Sequence, residues 1–399
     1  MAFNIALSGL NAVNSQLSQI SNNIANSGTY GFKSGRANFA AAYMQAEVGG
    51  VYVGSTSQTM TKSGNVLPTG RGLDAAIQGR GFFVSRDTNG MLVYSRMGMF
   101  NVDKEGYVVD AFSRRVQGYG TENGGVMGDL SVPTEAMLAE ASTSLRYAGN
   151  MSADWTTPAL AFDMNEPTSY NDLQVSSVYD SLGRQHTLTQ YFVKGATTAT
   201  GSDVDVYYAL DGVLVGGTPD HTLNFGLDGR LGGTGATTLN LPATLATLAG
   251  AEALEIDLTY TGTTYQGGRF TTTTNRPDGN APGTVIDVGL GEDGSIQVQY
   301  SNGSRVSAGT LTLAVFPNEL ALNPVDGTAW QPNSSTGEPI YGAAGAGLIG
   351  ALAVASLESS NVDMATELVN LMTAQQNYQA NSKVLSTESE MMRTLMQSI

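Results

Sequence analysis

Residues 3–24 read FNIALSGLNAVNSQLSQISNNI, and their spacing decides the architecture. Phe3, Ala6, Leu10, Val13, Leu17, Ile20 and Ile24 follow alternating steps of three and four, an unbroken a/d seam of the kind that packs helix on helix. The pattern stops at Asn26, Ser27 and Gly28, where Asn or Gly can take the left-handed conformation that ends a helix. The polar face carries Asn, Ser and Gln, whereas a solvated coiled coil is usually flanked by Lys and Glu. Such a face suits a helix enclosed by protein or lining a lumen.

The opposite end carries a related signal. Leu357, Met364, Leu371, Tyr378, Leu385, Met392 and Ile399 recur every seven residues. Leu368 and Met396 fill part of a second row, which Gln375, Ser382 and Ser389 dilute. Ser360-Asn361-Val362-Asp363 supplies a start, with a hydroxyl cap and a carboxylate in the first turn. At 1.5 Å per residue the two helices would measure about 37 Å and about 60 Å. Neither stripe can bury itself alone, so the helices pack on each other, on neighbouring subunits, or both.

Between the ends the period changes to short alternating strands with Gly, Asn and Asp turns, such as Gly81–Val84, Met91–Tyr94 and Tyr107–Val109. A Thr-, Ala- and Gly-rich block opens near Asn150 and runs to about Pro282, with strands at 188–193, 204–210 and 254–260. The fold class expected is multidomain α+β, with terminal α-helices forming a coiled-coil core and two nested, mainly β domains. The boundaries read as 1–70 with 355–399 for the helical core and its β-extension, 71–149 with 283–354 for an inner β domain, and 150–282 for an outer one.

Composition narrows the function. The 399 residues contain 41% hydrophobic and 14% charged side chains, 49 glycines and a formal net charge of −16. Charge of that sign disfavours nucleic acid and anionic membranes, which call for basic patches. The absence of cysteine removes disulfides, thiolate metal sites and thiol nucleophiles. The first 32 residues are uncharged, so the basic start of a secretory signal is missing, and Gly342–Leu357 is too short to span a bilayer. A soluble chain without membrane insertion is expected.

Three stretches imitate chemistry. Gly345-Ala346-Gly347-Leu348-Ile349-Gly350 matches a dinucleotide fingerprint without the preceding strand or second βαβ strand it needs, and reads as a Gly-rich connection. Asn101, Asp103, Glu105 and Gly106 imitate a calcium loop, but Phe112 stands where the bidentate Glu belongs, so a hairpin turn is expected. His186 and His221 lack a second His at i+3 or i+4 and are expected at the surface. These readings imply no catalytic residue, metal or cofactor, and no enzyme.

The terminal segments carry a likeness. Leu7–Ala12, Ser21–Asn26 and Thr29–Lys33 resemble the N-terminal signature of bacterial flagellar rod and hook proteins, and Ser360–Asp363, Glu367–Val369 and Gln376–Asn381 resemble the C-terminal one. Thr69–Asp74, Gly81–Phe83, Tyr94–Arg96 and Val178–Gly183 look like segments of the hook members of that family. The resemblance implies a structural subunit of the curved, flexible tube that joins motor to filament as a universal joint. It would leave the cell through the flagellar type III export apparatus without a cleaved signal, and partner itself, the rod, the hook cap and the hook–filament junction proteins. The seam residues Phe3, Leu10, Val13, Leu17, Ile20 and Ile24, and Leu357, Met364, Leu368, Leu371, Tyr378, Leu385 and Met392, would then be assembly surfaces. Asn22, Asn23, Asn26, Gly31, Phe32 and Lys33 form the N-terminal motif, and Asn361, Val362, Asp363, Gln379 and Asn381 the C-terminal one. A distal rod subunit is the near alternative, and a secreted adhesin or enzyme the distant one.

Overall fold

A computed structural model describes residues 2–44, 47–121, 124–199, 201–243 and 245–397. The chain divides into two compact units, the first from residues 1–134, 287–299 and 305–399 and the second from residues 135–286 and 300–304.

Unit 1 holds both ends of the chain. Helix α1 (Ala2–Ala25) is followed by a two-stranded antiparallel ribbon, β1 (Gly35–Met44) and β2 (Glu47–Gln58), with bulges after Asn38 and Ala42. Helix α2 (Met364–Gln397) closes the chain. At 24 and 34 residues, the helices run about 36 Å and about 51 Å. The second is shorter than its heptad row because Leu357 does not belong to it. Ser356–Glu358 is a strand that pairs antiparallel with Val66–Pro68, which buries Leu357 in a sheet. Ile399, the last member of the row, lies outside the described residues.

The β body of unit 1 is built around Phe82–Arg86, which pairs with Leu92–Ser95, Arg115–Gly120 and Leu313–Val315. Its core is aromatic. Phe82 meets Phe316 and Trp330 edge-on at ring distances of 6.1 and 5.6 Å, an arrangement that places positive ring edges on negative faces. The calcium-like stretch is the turn of a hairpin in which Phe100–Val102 pairs with Val108–Asp110. The Gly-rich connection joins strand Ile340–Gly342 to strand Ala351–Val354 through turns at Gly345 and Gly347, both with positive φ.

Unit 2 contains two five-stranded sheets. One comprises Thr237–Leu241, Leu254–Thr259, Ser144–Ser152, Thr264–Gln266 and Thr271–Pro277; the other comprises Asp172–Tyr179, Gln185–Thr198, Gly201–Leu210, Val213–Leu214 and His221–Gly226. Alternate residues of both, including Leu145, Tyr147, Phe192, Val206, Tyr208, Ile256 and Tyr260, fill one continuous core, the arrangement of a β-sandwich. The composition break read at Asn150 falls inside strand Ser144–Ser152. That strand pairs with Thr271–Pro277 from Leu145 to Asn150, so residues 135–149 pack with unit 2.

Each unit uses the same tight turn. The Asp110 carboxylate accepts the backbone N–H groups of Phe112 and Arg114 and the Arg114 Nε–H; Asp180 does the same for Leu182, Arg184 and the Arg184 Nε–H. The residue before each Arg must turn left-handed. Gly183 does so freely at φ 77°, and Ser113 does so at φ 61° against its own side chain.

Candidate assembly interface

Helix α1 closes its C-terminal end with uncharged side chains. Asn26 donates its backbone N–H to the Asn22 carbonyl and its side-chain amide to the Asn22 carbonyl and Oδ1, while Ser27 Oγ donates to the Ile24 carbonyl. The motif asparagines therefore satisfy the carbonyls that a helix end leaves open. Asn23 is buried and turns the other way. It exchanges two 2.9 Å hydrogen bonds with the backbone of Gly35 and donates to Glu367 Oε1 at 3.0 Å, tying α1 to the start of β1 and to α2.

The helix pair runs antiparallel, since Asn23 meets Glu367 while Gly9 faces Asn381. Val13, Ile20 and Ala374 form the buried centre, with Leu17, Ile24 and Leu371 packed around it; Leu10 is also buried. Gly9 permits close approach, because a Cβ there would stand 3.0 Å from Asn381 Nδ2. The face α2 turns inward is Glu367, Leu371, Ala374, Asn381, Leu385 and Glu388, all buried or half-buried. Leu371 and Leu385 belong to the expected row. The companion row lies one residue earlier than Leu368, Gln375, Ser382 and Ser389, which are all exposed.

Much of the expected seam is left uncovered in the single chain. Phe3, Ile5 and Leu7 on α1 are exposed, as are Met364, Leu368, Val369, Met372, Tyr378, Met392 and Met396 on α2. Gln379 also lies on the exposed face. No helix among the described residues is long and apolar enough to cross a membrane, so these faces are not spans.

Below the helices the two motifs meet. Lys33 is 1% exposed and its Nζ donates to Glu358 Oε1 at 2.7 Å and to the Lys62 carbonyl at 3.0 Å. Arg96 lies 3.5 Å from Glu358 Oε2 and over the Phe82 ring at 5.1 Å. Gly64 N–H donates to Glu358 Oε1, and Gly31 N–H to the Glu358 carbonyl. Gly31 has φ 69°, and a Cβ there would stand 2.8 Å from the Arg96 carbonyl carbon. Burial pushes the Lys33 ammonium below the usual lysine range, against the pull of Glu358, and Arg96 adds to the lowering. Burial likewise lowers Arg96.

Asn361 completes the knot. It accepts Ser34 N–H at 2.7 Å and donates to the Thr59 and Lys62 carbonyls at 2.9 Å each, and its own N–H reaches the Phe32 carbonyl. Val362 is half-buried beside it. Asp363 caps α2 by accepting the N–H groups of Ala365 and Thr366, which hold its carboxyl below the usual range. Glu358 and Arg96 are the participants that pattern alone passes over. Their signal is that Lys33, the first charge after an uncharged stretch, needs a partner.

The histidines differ from expectation. His186 is 5% exposed, with Nδ1 2.7 Å from Asp211 and Nε2 3.3 Å from Asp180, both carboxylates arriving on turns. His221 is half-buried and stacks on Tyr260, its Nε2 enclosed. Among the described residues no cluster of His, Asp and Glu is gathered to hold a metal.

Comparison with known proteins matches four family models in chain order: flagella basal body rod protein over residues 3–33, the hook protein FlgE/F/G D1 domain over 76–153, the basal body protein FlaE D2 domain over 150–280, and the basal body rod FlgEFG protein C-terminal over 354–398. The flagellar hook protein FlgE of Salmonella typhimurium is 35% identical over 99% of both chains. This chain belongs to the flagellar hook protein family. The FlgE proteins of Escherichia coli K12, at 35% identity over 99% of each chain, and of Treponema pallidum, at 31% over 98% and 97%, are similar along their whole length. The crystal structure of Helicobacter pylori FlgE2 shares the fold, with a TM-score of 0.55 at 13% identity over 73% of this chain and all of that one. Membership makes this a structural component of the flagellar hook and basal body. The N-terminal motif and the Asn361–Asp363 motif lie within the two rod-type matches, and the structure joins them through Asn23, Lys33, Glu358 and Asn361.

Proposed function

We propose that the chain polymerises through its terminal helices into the curved hook tube and transmits motor torque along it. The observation carrying this reading is that α2 keeps Met364, Leu368, Val369, Met372, Tyr378, Met392 and Met396 exposed with α1 already docked against Leu371 and Ala374. Burying such surface between copies is favourable by ~25 cal/mol per Å². A contact that repeats head to tail without closing gives an open helical assembly. The seam residues Leu10, Leu371 and their neighbours hold the hairpin, and Phe3, Met364, Leu368, Tyr378 and Met392 meet neighbouring copies.

The division of labour follows the domain reading: helices with the β1–β2 ribbon for cohesion, and the remaining β bodies for weaker contacts that exchange as the tube bends. Export through the flagellar type III apparatus, and contacts with rod, hook cap and junction proteins, belong to this proposal. The D2-type block and the full-length hook relatives favour hook over distal rod. Leu10→Ala and Leu371→Ala should each impair polymerisation induced by salting out, scored by negative-stain microscopy, while both β units stay folded. Tubes at the wild-type yield from both variants would remove the reading.

A further inference from the structure

The buried ion cluster joins residues that are far apart in the chain. Lys33 and Arg96 are 1% and 2% exposed at the side chain, and among the described residues the carboxylate within ion-pair distance of either is Glu358. Glu319 attracts both cations at longer range but makes its own ion pair with Arg80. A buried cation left without its carboxylate is strongly destabilising, because desolvation is no longer offset.

The strands beside Arg96 and its ring partner Phe82 take their pairing partners from earlier in the chain. Strands Phe82–Arg86 and Leu92–Ser95 pair with each other and with partners between residues 115 and 330, none of them in segment 351–399. Backbone pairing alone would let this sheet form first. Burying Arg96 over Phe82 would not, because the neutralising carboxylate has yet to arrive.

We propose that Glu358 is a completion lock: unit 1 closes its aromatic core only when the C-terminal segment delivers the carboxylate shared by Lys33 and Arg96. Unit 2 has no such dependence, since its core is drawn from residues 145–265. An incomplete chain therefore holds a folded unit 2 and an open unit 1. A chain that ends before α2 also lacks the partner on which α1 docks.

The test reads folding and not polymerisation, so it stands apart from the assembly reading. Pulsed hydrogen exchange during refolding of the full chain should show the amides of Phe82–Arg86 and Leu92–Ser95 gaining protection together with those of Ala351–Glu358, after the strand amides of unit 2. Protection of Phe82–Arg86 ahead of Ala351–Glu358 would overturn the proposal. In the native full chain, Glu358→Gln keeps the side-chain shape and removes the charge. It should lower protection of Phe82–Arg86 by about 100-fold or more while leaving Leu188–Leu210 unchanged. Wild-type protection of Phe82–Arg86 in that variant would equally overturn it.

Discussion

The core of unit 2 and the helix pair of unit 1 treat apolar residues in opposite ways. In unit 2, Tyr147, Phe192, Tyr208 and Tyr260 are sealed inside one sandwich, and even the Tyr208 hydroxyl is paired, 2.9 Å from that of Tyr260. On α2, by contrast, Met364, Leu368, Met372 and Met392 stay exposed after the intramolecular partner has docked. The sandwich core satisfies its large side chains within the chain. A helix pair with apolar residues left over keeps surface that its own chain does not cover.

Phe192→Ala challenges the first half of this contrast most severely. It should cost unit 2 about 3–5 kcal/mol, read from the denaturation midpoint, and leave helical content unchanged. A loss of α1–α2 pairing in the same variant would mean that the two regions are not independent. Asn23→Ala is the next largest change. Removing three hydrogen bonds from a buried amide should cost about 1–3 kcal/mol and speed exchange at the Gly35 amide, which loses its acceptor. An unaltered Gly35 amide would assign that motif residue to contacts between subunits.

The smallest effect is a pH dependence confined to unit 2. Burial raises the Asp180 carboxyl, but hydrogen bonds from the backbone and side chain of Arg184, from His186 and from Leu182 outweigh it and hold it at about 2. Because the folded value lies below the unfolded one, the carboxylate stabilises unit 2 above about pH 4. That contribution fades as the pH falls towards 2. Asp180→Asn should flatten the acid limb of the unit 2 unfolding curve. An unchanged acid limb would show that the Asp180 network does not contribute to it.

The sequence was informative where one requirement acted alone. The α1 seam is legible because its only demand is to pack, and Leu10, Val13 and Ile20 are buried accordingly. Helix α2 carries apolar residues on more than one side, and hydrophobicity picks out a second row that α1 does not cover. Leu368 and Met396 stand out as apolar yet are exposed, while the row turned towards α1 is marked by Ala374, Asn381 and two glutamates. Leu357 shared the period of seven by coincidence, since a strand residue can fall at any interval. The ion cluster and the His186 clasp were hidden for another reason. Lys33 and Glu358 are far apart in sequence, and the carboxylates around His186 are placed by turns whose geometry no short pattern records.

The uncovered face of α2 is the central claim, and one comparison tests it without disturbing the fold. Leu368→Gln/Met372→Gln/Met392→Gln changes three exposed side chains that α1 does not bury. Wild-type and variant chains would be salted out and viewed by negative-stain microscopy, with circular dichroism melting as the control for folding. The account predicts tubes from the wild type, none from the variant, and superimposable melting curves. Tubes of normal yield from a variant that melts like the wild type would contradict it.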